Sequence, residues 1–492
     1  MDKKIPTDNL TDKQKDYATF LPAMSSFFAR DLGKARHEED YIKPERIPQN
    51  FEHGVEGLNY MKSKDTYFYY KWHLYSAGHA DLNMKKFSVR DDIIRKRDRN
   101  DNWLLGDSGG FQIGKGVWEG DWKDPTCPKA KKKREQVLEF MDGNMDYGMI
   151  LDIPAWVSRS PEGAKASNIN SYQEAVDGTR INNDYFMKNR NGNCKFLNVL
   201  QGENFQQADD WYLQMKDYCD PKKYPSTHFN GWAMGGQNMC DIHLALKRLV
   251  ALRFDGLLEK GKHDVMHFLG TSKLEWAVLL TDVQRAIRKY HNENFMITFD
   301  CASPFLASAN GQVYTDIEIK DKAKWVYRMM ASADDKGFAK ETKAFRDAVL
   351  EKGIFPAFRD SPVSARWMLK DITCYNPGDL NKMGNDPKTS WDSFSYTLQM
   401  AHNVWMHIQA VQEANQMYDK GINPKMLVQE QFDRIAFRDI VNAVFATSSR
   451  DEANAVIEEF QRFWMSIIGT RGATGKKTVN ASTQFQNLFE EV

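Results

Sequence analysis

The sequence lacks clustered cysteines and long apolar runs. Six cysteines are scattered, and none lies in a CxxC pair: Cys127, Cys194, Cys219, Cys240, Cys301 and Cys374. This spacing excludes a disulfide scaffold and a cysteine-rich zinc module. No apolar run approaches the roughly 18 residues of a membrane span, and the polar beginning is unlike a signal peptide. We therefore expect a soluble cytoplasmic protein that does not associate with membranes.

The chain also lacks a net charge. The 492 residues contain 67 Lys+Arg and 67 Asp+Glu, which argues against a protein that coats nucleic acid by bulk attraction. A local basic groove remains compatible with neutrality. Aromatic residues reach 12%, enough for a large core and for flat stacking surfaces. The length suits one large domain with additions, or two to three domains.

Short apolar runs alternate with segments of helical period through the middle of the chain. The runs predict strands at 67–75, 103–106, 147–153, 196–201, 231–235, 266–270 and 295–300. Helices are predicted between them at 133–145, 206–218, 242–252 and 274–291. Sustained alternation predicts a parallel α/β sheet. Seven strands approach the eight of a TIM-type (β/α)8 barrel, with an open doubly wound sheet as the alternative.

Beyond residue 305 this alternation fades. Helices are predicted at 320–332, 339–352, 395–419, 429–445 and 452–467, with an irregular stretch at 356–388. The predicted domains are an N-terminal extension at 1–60, the barrel at 61–310, an insertion with barrel-completing helices at 311–425 and a C-terminal helical region at 426–492. The polar extension is expected to wrap the outside of the barrel.

Polar groups and glycines lie near the carboxyl ends of the predicted strands. They are His73, Asp107, Asp152, Gln201, Gly235, Gly236 and Asp300. A (β/α)8 barrel carries its active site at this edge, so the set predicts an active site there.

Two of these carboxylates are candidates for catalysis. Asp107 lies in GDSGGFQ, where glycines let a flat ligand approach closely, and Asp300 follows the apolar run FMITF. Two carboxylates across a sugar can perform glycosidic chemistry, although the sequence gives no distance between them. The alternatives are a plain turn at Asp107 and a helix cap at Asp300. GDSGG also occurs around the nucleophile of trypsin-like proteases, but those need an all-β scaffold that this sequence does not predict.

Two other patterns have weaker implications. His263 and His267 are spaced as in the zinc motif HExxH, but the segment runs into a strand rather than a helix, so we predict no zinc there. Basic clusters flank the Asp107 loop and are predicted to contact phosphates, with solvated helix ends as the alternative. The residues concerned are Lys85, Lys86, Arg95, Arg97, Lys131 and Lys132.

Taken together, the motifs resemble one family. GDSGGFQ, LDIPAW, VLQGEN, GWAMGG, HFLG and FDCASP occur in the order and spacing of the tRNA-guanine transglycosylase superfamily, over roughly residues 65–305. The resemblance implies a (β/α)8 pentosyltransferase that exchanges guanine for a 7-deazaguanine. It implies that Asp300 is the nucleophile toward C1′ and that Asp107 is the general acid and base. The implied base-binding residues are Phe111, Asp152, Gln201, Gly235, Gly236 and Leu269.

Departures from the family pattern bear on the substrate. His402 matches the family's zinc-binding histidine, but the CxCxxC triad is missing, so no zinc and no other cofactor is predicted. The longer chain is most similar to the branch that inserts 7-deazaguanines such as preQ0 into DNA, which protects phage genomes from restriction. The expected partners are DNA and the free base, in the host cytoplasm if the protein is phage-encoded. The alternatives are an enzyme acting on tRNA and a non-catalytic nucleic-acid-binding subunit.

Overall fold

Eight parallel strands form a nearly closed barrel in the computed structural model. The structure describes residues 16–321, 324–374, 382–383, 386–387, 390–429 and 434–471. The strands are β1 (Thr19–Pro22), β2 (Trp72–Ser76), β3 (Trp103–Asp107), β4 (Tyr147–Met149), β5 (Lys195–Leu200), β6 (Gly231–Met234), β7 (Val265–Phe268) and β8 (Met296–Cys301). Their order is β1-β8-β7-β6-β5-β4-β3-β2. Met24 N donates to the Leu74 carbonyl oxygen at 3.0 Å, beyond the end of β1, and so brings the two edge strands together. The TIM-type α/β prediction is confirmed.

The first strand comes from the segment that was expected to wrap the outside of the barrel. Phe20 and Leu21 are buried, and Thr19–Pro22 pairs with β8 in register, Leu21 opposite Asp300. That expectation was wrong here because a strand of only four residues does not stand out by periodicity. The other seven strands overlap the predicted ones. Strands of this kind are buried on both faces, which explains their apolar runs.

Helices surround the barrel. They are α1 (Ser26–His37), α2 (Asp92–Arg95), α3 (Gly110–Gly114), α4 (Pro128–Asn144), α5 (Pro161–Ser167), α6 (Tyr172–Asn189), α7 (Phe205–Met215), α8 (Ile242–Phe254), α9 (Leu274–Tyr290) and α10 (Ser303–Ala309). Capping side chains begin several of them. Asn204 accepts from Gln207 N at 2.9 Å ahead of α7, and Asp241 accepts from Leu244 N at 3.1 Å ahead of α8.

A β-hairpin follows α10 where the sequence predicted a helix at 320–332. Strands β9 (Gln312–Asp321) and β10 (Lys324–Ala331) pair antiparallel. The run Trp325, Val326 and Tyr327 is aromatic and β-branched, which favours a strand, and pairing with β9 outweighs the helical spacing.

The remaining helices pack on the outside of the barrel. They are α11 (Phe345–Glu351), α12 (Leu369–Ile372), α13 (Ser393–Asp419), α14 (Phe437–Ala446), α15 (Arg450–Glu459) and α16 (Gln461–Arg471). A two-residue strand pair, β11 (Lys382–Met383) and β12 (Asp386–Pro387), precedes α13. The 27-residue α13 is largely buried against α9, α10 and β9, as its apolar spacing predicted. The predicted helix at 452–467 is split into α15 and α16. No described helix has the length and apolar character needed to cross a membrane.

Candidate active site

The carboxyl ends of the strands bring the predicted acidic residues to one mouth. Ser76 and Asp107, the last residues of β2 and β3, are direct partners in the sheet. Asp300 lies near the end of β8, and Asp152 and Gln201 follow β4 and β5. His73 does not reach this edge, because it lies three residues before the end of β2 and is fully buried.

Asp300 is held by two donors on the same oxygen. Gly270 N donates to Asp300 Oδ1 at 2.8 Å, and His267 Nε2 lies 3.2 Å from that oxygen. The other ring nitrogen, Nδ1, lies 2.9 Å from Thr298 Oγ1. A neutral ring that donates from Nε2 and accepts the Thr298 hydroxyl proton satisfies both contacts. Both donors therefore orient the carboxylate through Oδ1 and leave Oδ2 without a bond from a described residue.

The sequence interpretation missed His267 as a companion of Asp300. It weighed this residue only as half of a zinc pair. The alternation of side chains along a strand was the signal that could have placed it inward, beside the end of β8. The other histidine of that spacing, His263, lies 2.8 Å from the Cys219 carbonyl oxygen.

Asp107 is in an environment that favours its protonated form. Burial raises the pKa of Asp107, and the negative charge of Asp300 raises it further. Two hydrogen bonds oppose the rise: one from Ser76 Oγ to Oδ2 at 2.5 Å, and one from the backbone of Gly109. The effect of Asp300 on the pKa of Asp107 indicates that the two carboxyl groups interact electrostatically.

Asp152 and Gln201 form a second polar pair. Gln201 Nε2 donates to Asp152 Oδ2 at 2.8 Å. Burial raises the pKa of Asp152 to about 7, with the hydrogen bond from Gln201 opposing the rise and the charge of Asp107 adding to it. Near neutral pH this carboxyl group can therefore present either acceptors or a proton to a ligand.

The two predicted glycines differ in what their backbones can contact. A Cβ at Gly235 would lie 2.9 Å from Gln201 Nε2, so the absence of a side chain leaves room for Gln201. Gly235 N already donates to the Leu200 carbonyl oxygen at 2.8 Å, so this N–H is not available to bind a base. Gly236 begins a short 3-10 turn, Gly236–Met239, and an N–H at that position has no partner within its own turn.

Aromatic residues lie on the loops after β3 and β4. The Phe111 ring centroid lies 5.5 Å from that of Trp156, with the planes tilted by 59°. Gly114 leaves the space that the Trp156 ring fills, and a Cβ at Gly110 would lie 2.2 Å from the Asp152 carbonyl oxygen. These glycines thus pack the two loops together. Trp156, in the LDIPAW motif, was not among the predicted site residues.

Leu269 follows β7 on another loop of the mouth. It is partly buried and packs against the core, and its N–H donates to the Met234 carbonyl oxygen at 3.3 Å. Phe111 is also partly buried. Both side chains are therefore present at the edge where a flat ligand was predicted.

The predicted phosphate-binding residues divide into two groups. Lys85, Lys86, Lys131 and Lys132 are exposed. Arg95 is partly buried and donates to the Asp81 carbonyl oxygen at 2.7 Å. Arg97 is turned inward, with a side chain only 2% exposed, and lies 3.0 Å from Asp146 in an ion pair. The prediction of phosphate binding does not fit Arg97, because its guanidinium group is buried in an ion pair within the protein.

The zinc site of the resembling family does not fit the residues present. His402 Nδ1 lies 2.9 Å from Ser361 Oγ, and Nε2 lies 2.8 Å from the Tyr314 carbonyl oxygen. Nε2 must donate to the carbonyl and Nδ1 accepts from the hydroxyl, which leaves no lone pair for a metal. Among the residues that the structure describes, no three His, Cys, Asp or Glu side chains cluster as a metal site would require.

The arrangement combines an acid biased toward protonation, a carboxylate oriented through one oxygen, and a polar pair beside aromatic rings. Such a set can cleave and reform a glycosidic bond next to a flat, hydrogen-bonding base. No family model and no curated protein matches the chain.

Proposed function

We propose that this protein is a base-exchange glycosyltransferase that replaces guanine in DNA with a 7-deazaguanine of the preQ0 type. The observation that carries the proposal is the pair Asp107 and Asp300 at one barrel mouth. The first favours the protonated state and the second is oriented by His267 and Gly270. The resemblance in the six motifs supplies the identity of the base.

The first half of the reaction breaks the bond between guanine and the sugar. Asp300 Oδ2 attacks C1′ and forms a covalent ester with it, while the C1′–N9 bond breaks. The electron pair of that bond goes to the departing guanine, which takes a proton from Asp107. An acid whose pKa is raised by burial and by a neighbouring charge suits this donation.

The second half runs in the opposite direction with the incoming base. Asp107, now ionised, accepts the proton from the ring nitrogen that will bond to the sugar. That nitrogen attacks C1′ and releases the Asp300 carboxylate, so protons and electrons balance over the cycle. The exchange uses no oxidant or reductant.

Selection of the base falls to the Asp152 and Gln201 pair. Guanine presents N1–H and N2–H₂ as donors and O6 as an acceptor. The Asp152 carboxylate suits the donors, and the N–H of Gly236 or the Gln201 amide suits O6. Stacking on Phe111 and packing on Leu269 would offset part of the cost of flipping the base out of its helix.

DNA is the preferred substrate because the chain departs from the zinc-bearing tRNA enzymes. Both nitrogens of His402 are occupied by protein partners, in addition to the missing cysteine triad. The proposal includes a cytoplasmic location, which is the host cytoplasm if the protein is phage-encoded, and a role in protecting phage DNA against restriction. The proposal extends to the free base as co-substrate.

The test is incorporation of base into nucleic acid. Purified protein is incubated with duplex DNA and radiolabelled guanine or preQ0, and nucleosides from the DNA are identified by mass spectrometry. Incorporation into tRNA alone would overturn the choice of DNA and retain the chemistry. Binding to nucleic acid without exchange at any base would favour the non-catalytic subunit.

The two carboxylates are tested by substitution. Asp300→Ala should abolish exchange and the covalent adduct between protein and DNA that the proposed mechanism expects of the wild type. Asp107→Asn should slow both half reactions while the fold is retained. Asp177→Ala removes an exposed carboxylate from α6 and serves as the control. Full exchange by Asp300→Ala would remove the proposed nucleophile.

A further inference from the structure

A basic cleft lies beside the Asp107 loop. Its volume is about 620 Å³, and it is lined by four cations, Arg30, Lys34, Arg90 and Lys133, against two carboxylates, Glu38 and Asp81. We call it the cationic cleft. A local excess of two positive charges contrasts with the neutrality of the whole chain.

The four cations converge from separate elements. Arg30 and Lys34 are one helical turn apart on α1, Arg90 precedes α2, and Lys133 is on α4. Burial lowers the pKa of Lys133, and the charge of Lys132, which lies outside the cleft lining, lowers it further. An anion bound among the four cations would offset the cost of keeping them charged in a partly buried cleft.

The four cations form no ion pair in the part of the chain that the structure describes. Their charged groups meet a backbone oxygen or an aromatic ring instead. Arg90 donates to the His79 carbonyl oxygen at 3.1 Å. Lys34 lies 5.0 Å from the Tyr41 ring centroid, and Lys133 lies 4.9 Å from that of Trp118. By contrast, Arg36, also on α1, bonds to both Glu56 and Asp92.

The cationic cleft adjoins the residues that position Asp107. Its lining includes Ala77 and Gly78, which follow β2. Ala77 N donates to the Asp107 carbonyl oxygen at 2.8 Å, and Gly78 N donates to Ser76 Oγ at 3.1 Å. Ser76 in turn donates to the Asp107 carboxylate. A ligand in the cleft is thus one residue away from the loop that carries the general acid.

The lining also offers stacking surface. Phe87 is 59% exposed, and the Lys96 ammonium group lies 4.7 Å from its ring centroid. Cations interleaved with an exposed aromatic ring are the combination that binds a nucleic-acid strand, through phosphates and stacked bases.

We infer that the cationic cleft binds the phosphodiester backbone of the strand whose target nucleotide enters the barrel mouth. The inference rests on the proposed function for the identity of that strand. It assigns backbone binding to Arg30, Lys34, Arg90 and Lys133, of which only Lys133 adjoins a basic cluster predicted from the sequence, at Lys131 and Lys132.

The test measures binding without catalysis. Anisotropy of a fluorescein-labelled DNA duplex of about 20 base pairs is followed between about 50 and 200 mM salt, with no free base added. The variant is Lys34→Gln/Lys133→Gln. The control is Lys222→Gln/Lys425→Gln, which removes the same charge from exposed lysines outside the cleft. A parallel series uses a tRNA transcript as the probe.

The cleft variant should bind more weakly and with a shallower salt dependence. Each lost phosphate contact removes about 0.9 from the slope of log affinity against log salt, so two contacts remove about 1.8. The control should keep the wild-type slope. Glu38→Gln removes a carboxylate from the lining and should strengthen binding, which tests the cleft even if the double variant folds poorly.

The outcomes separate this inference from the proposed function. Wild-type exchange combined with an unchanged affinity and slope in the cleft variant overturns the inference alone. Equal losses in the cleft and control variants also overturn it, because they report net charge. If the wild type exchanges no base but the cleft variant alone loses binding, the role of the cleft is supported and the proposed enzymatic function is overturned. Selective loss for tRNA alone supports backbone binding with RNA as the strand.

Discussion

Asp152→Asn should make the protein more stable and less active, by amounts that depend on pH. The substitution keeps the shape of the side chain and an oxygen that can accept from Gln201, which lies 2.8 Å away. It removes a negative charge from a site where only 7% of the residue is exposed. The variant no longer bears the cost of burying that charge, so its free energy of unfolding should be higher.

The size of the effect follows from the pKa of Asp152. Burial raises it from 3.8 to about 7. At about 1.36 kcal/mol per pKa unit, the ionised form costs the folded state roughly 4 kcal/mol. Between these pH values the folded state holds a proton that the unfolded chain has released. The wild-type free energy of unfolding should therefore fall as pH rises from about 4 to 7, and level off above that range.

The asparagine variant has no proton to release at this position, so it should lack that fall. Equilibrium urea denaturation of both proteins at about pH 5, 6, 7 and 8 gives the difference in the free energy of unfolding, which should grow with pH. Asp177→Asn, on an exposed helical surface, is the control and should show no growing difference. A difference for Asp152→Asn that is flat across this range would refute the reasoning.

The same substitution should weaken base binding. An asparagine turns one acceptor into a donor that opposes the N1–H and N2–H₂ of guanine. A lost pair of base contacts is worth about 1–3 kcal/mol, so the KM for guanine should rise roughly 5- to 150-fold. A variant that gains stability while losing affinity would show that Asp152 destabilises the folded protein in order to bind the base.

Substitutions at three further positions test the residues around the carboxylates. Ser76→Ala removes a hydrogen bond that lowers the pKa of Asp107, so that pKa should rise. The alkaline limb of the pH profile of kcat/KM should then move up by about one pH unit. An unmoved limb would contradict the assignment of Asp107 as the general acid. His267→Phe should lower kcat roughly 10- to 100-fold with little change in KM, and His267→Gln should restore part of it, because the ring orients Asp300 rather than binding the base. Gly110→Ala would force a Cβ to 2.2 Å from a backbone oxygen of the next loop. It should therefore lower the free energy of unfolding, measured by urea denaturation, by about 1–3 kcal/mol. A variant as stable as the wild type would show that the two loops can move apart without cost.

Periodicity predicted most of the barrel because seven strands are apolar on both faces. It failed where the local signal was short or ambiguous. Thr19–Pro22 is too brief to register in a polar segment, although pairing with β8 buries it fully. The hairpin Gln312–Ala331 carries apolar residues whose spacing also suits a helix, and only its antiparallel partner decides the outcome.

The carboxylates of the site were predictable because they stand at strand ends, where sequence position and spatial position agree. Asp107 and Asp300 end apolar runs, and parallel pairing alone brings such positions to one edge. Side-chain partners were less accessible to sequence reasoning. The contact of His267 with Asp300 depends on the pairing of β7 with β8, and the occupied N–H of Gly235 depends on the carbonyl of the neighbouring strand.

The positions of the charged side chains show most clearly which features could not be predicted without the fold. Sequence proximity grouped Arg97 with exposed lysines, yet its guanidinium group is buried in an ion pair with Asp146. The cationic cleft instead draws Arg30, Arg90 and Lys133 from about a hundred residues of chain that share no motif. A cluster in sequence on a helix points its members in several directions, whereas a cluster in space can leave every member facing one ligand. The neutrality of the chain therefore reflects compensation over the whole surface, and the electrostatics relevant to a nucleic acid lie in how the barrel loops distribute it.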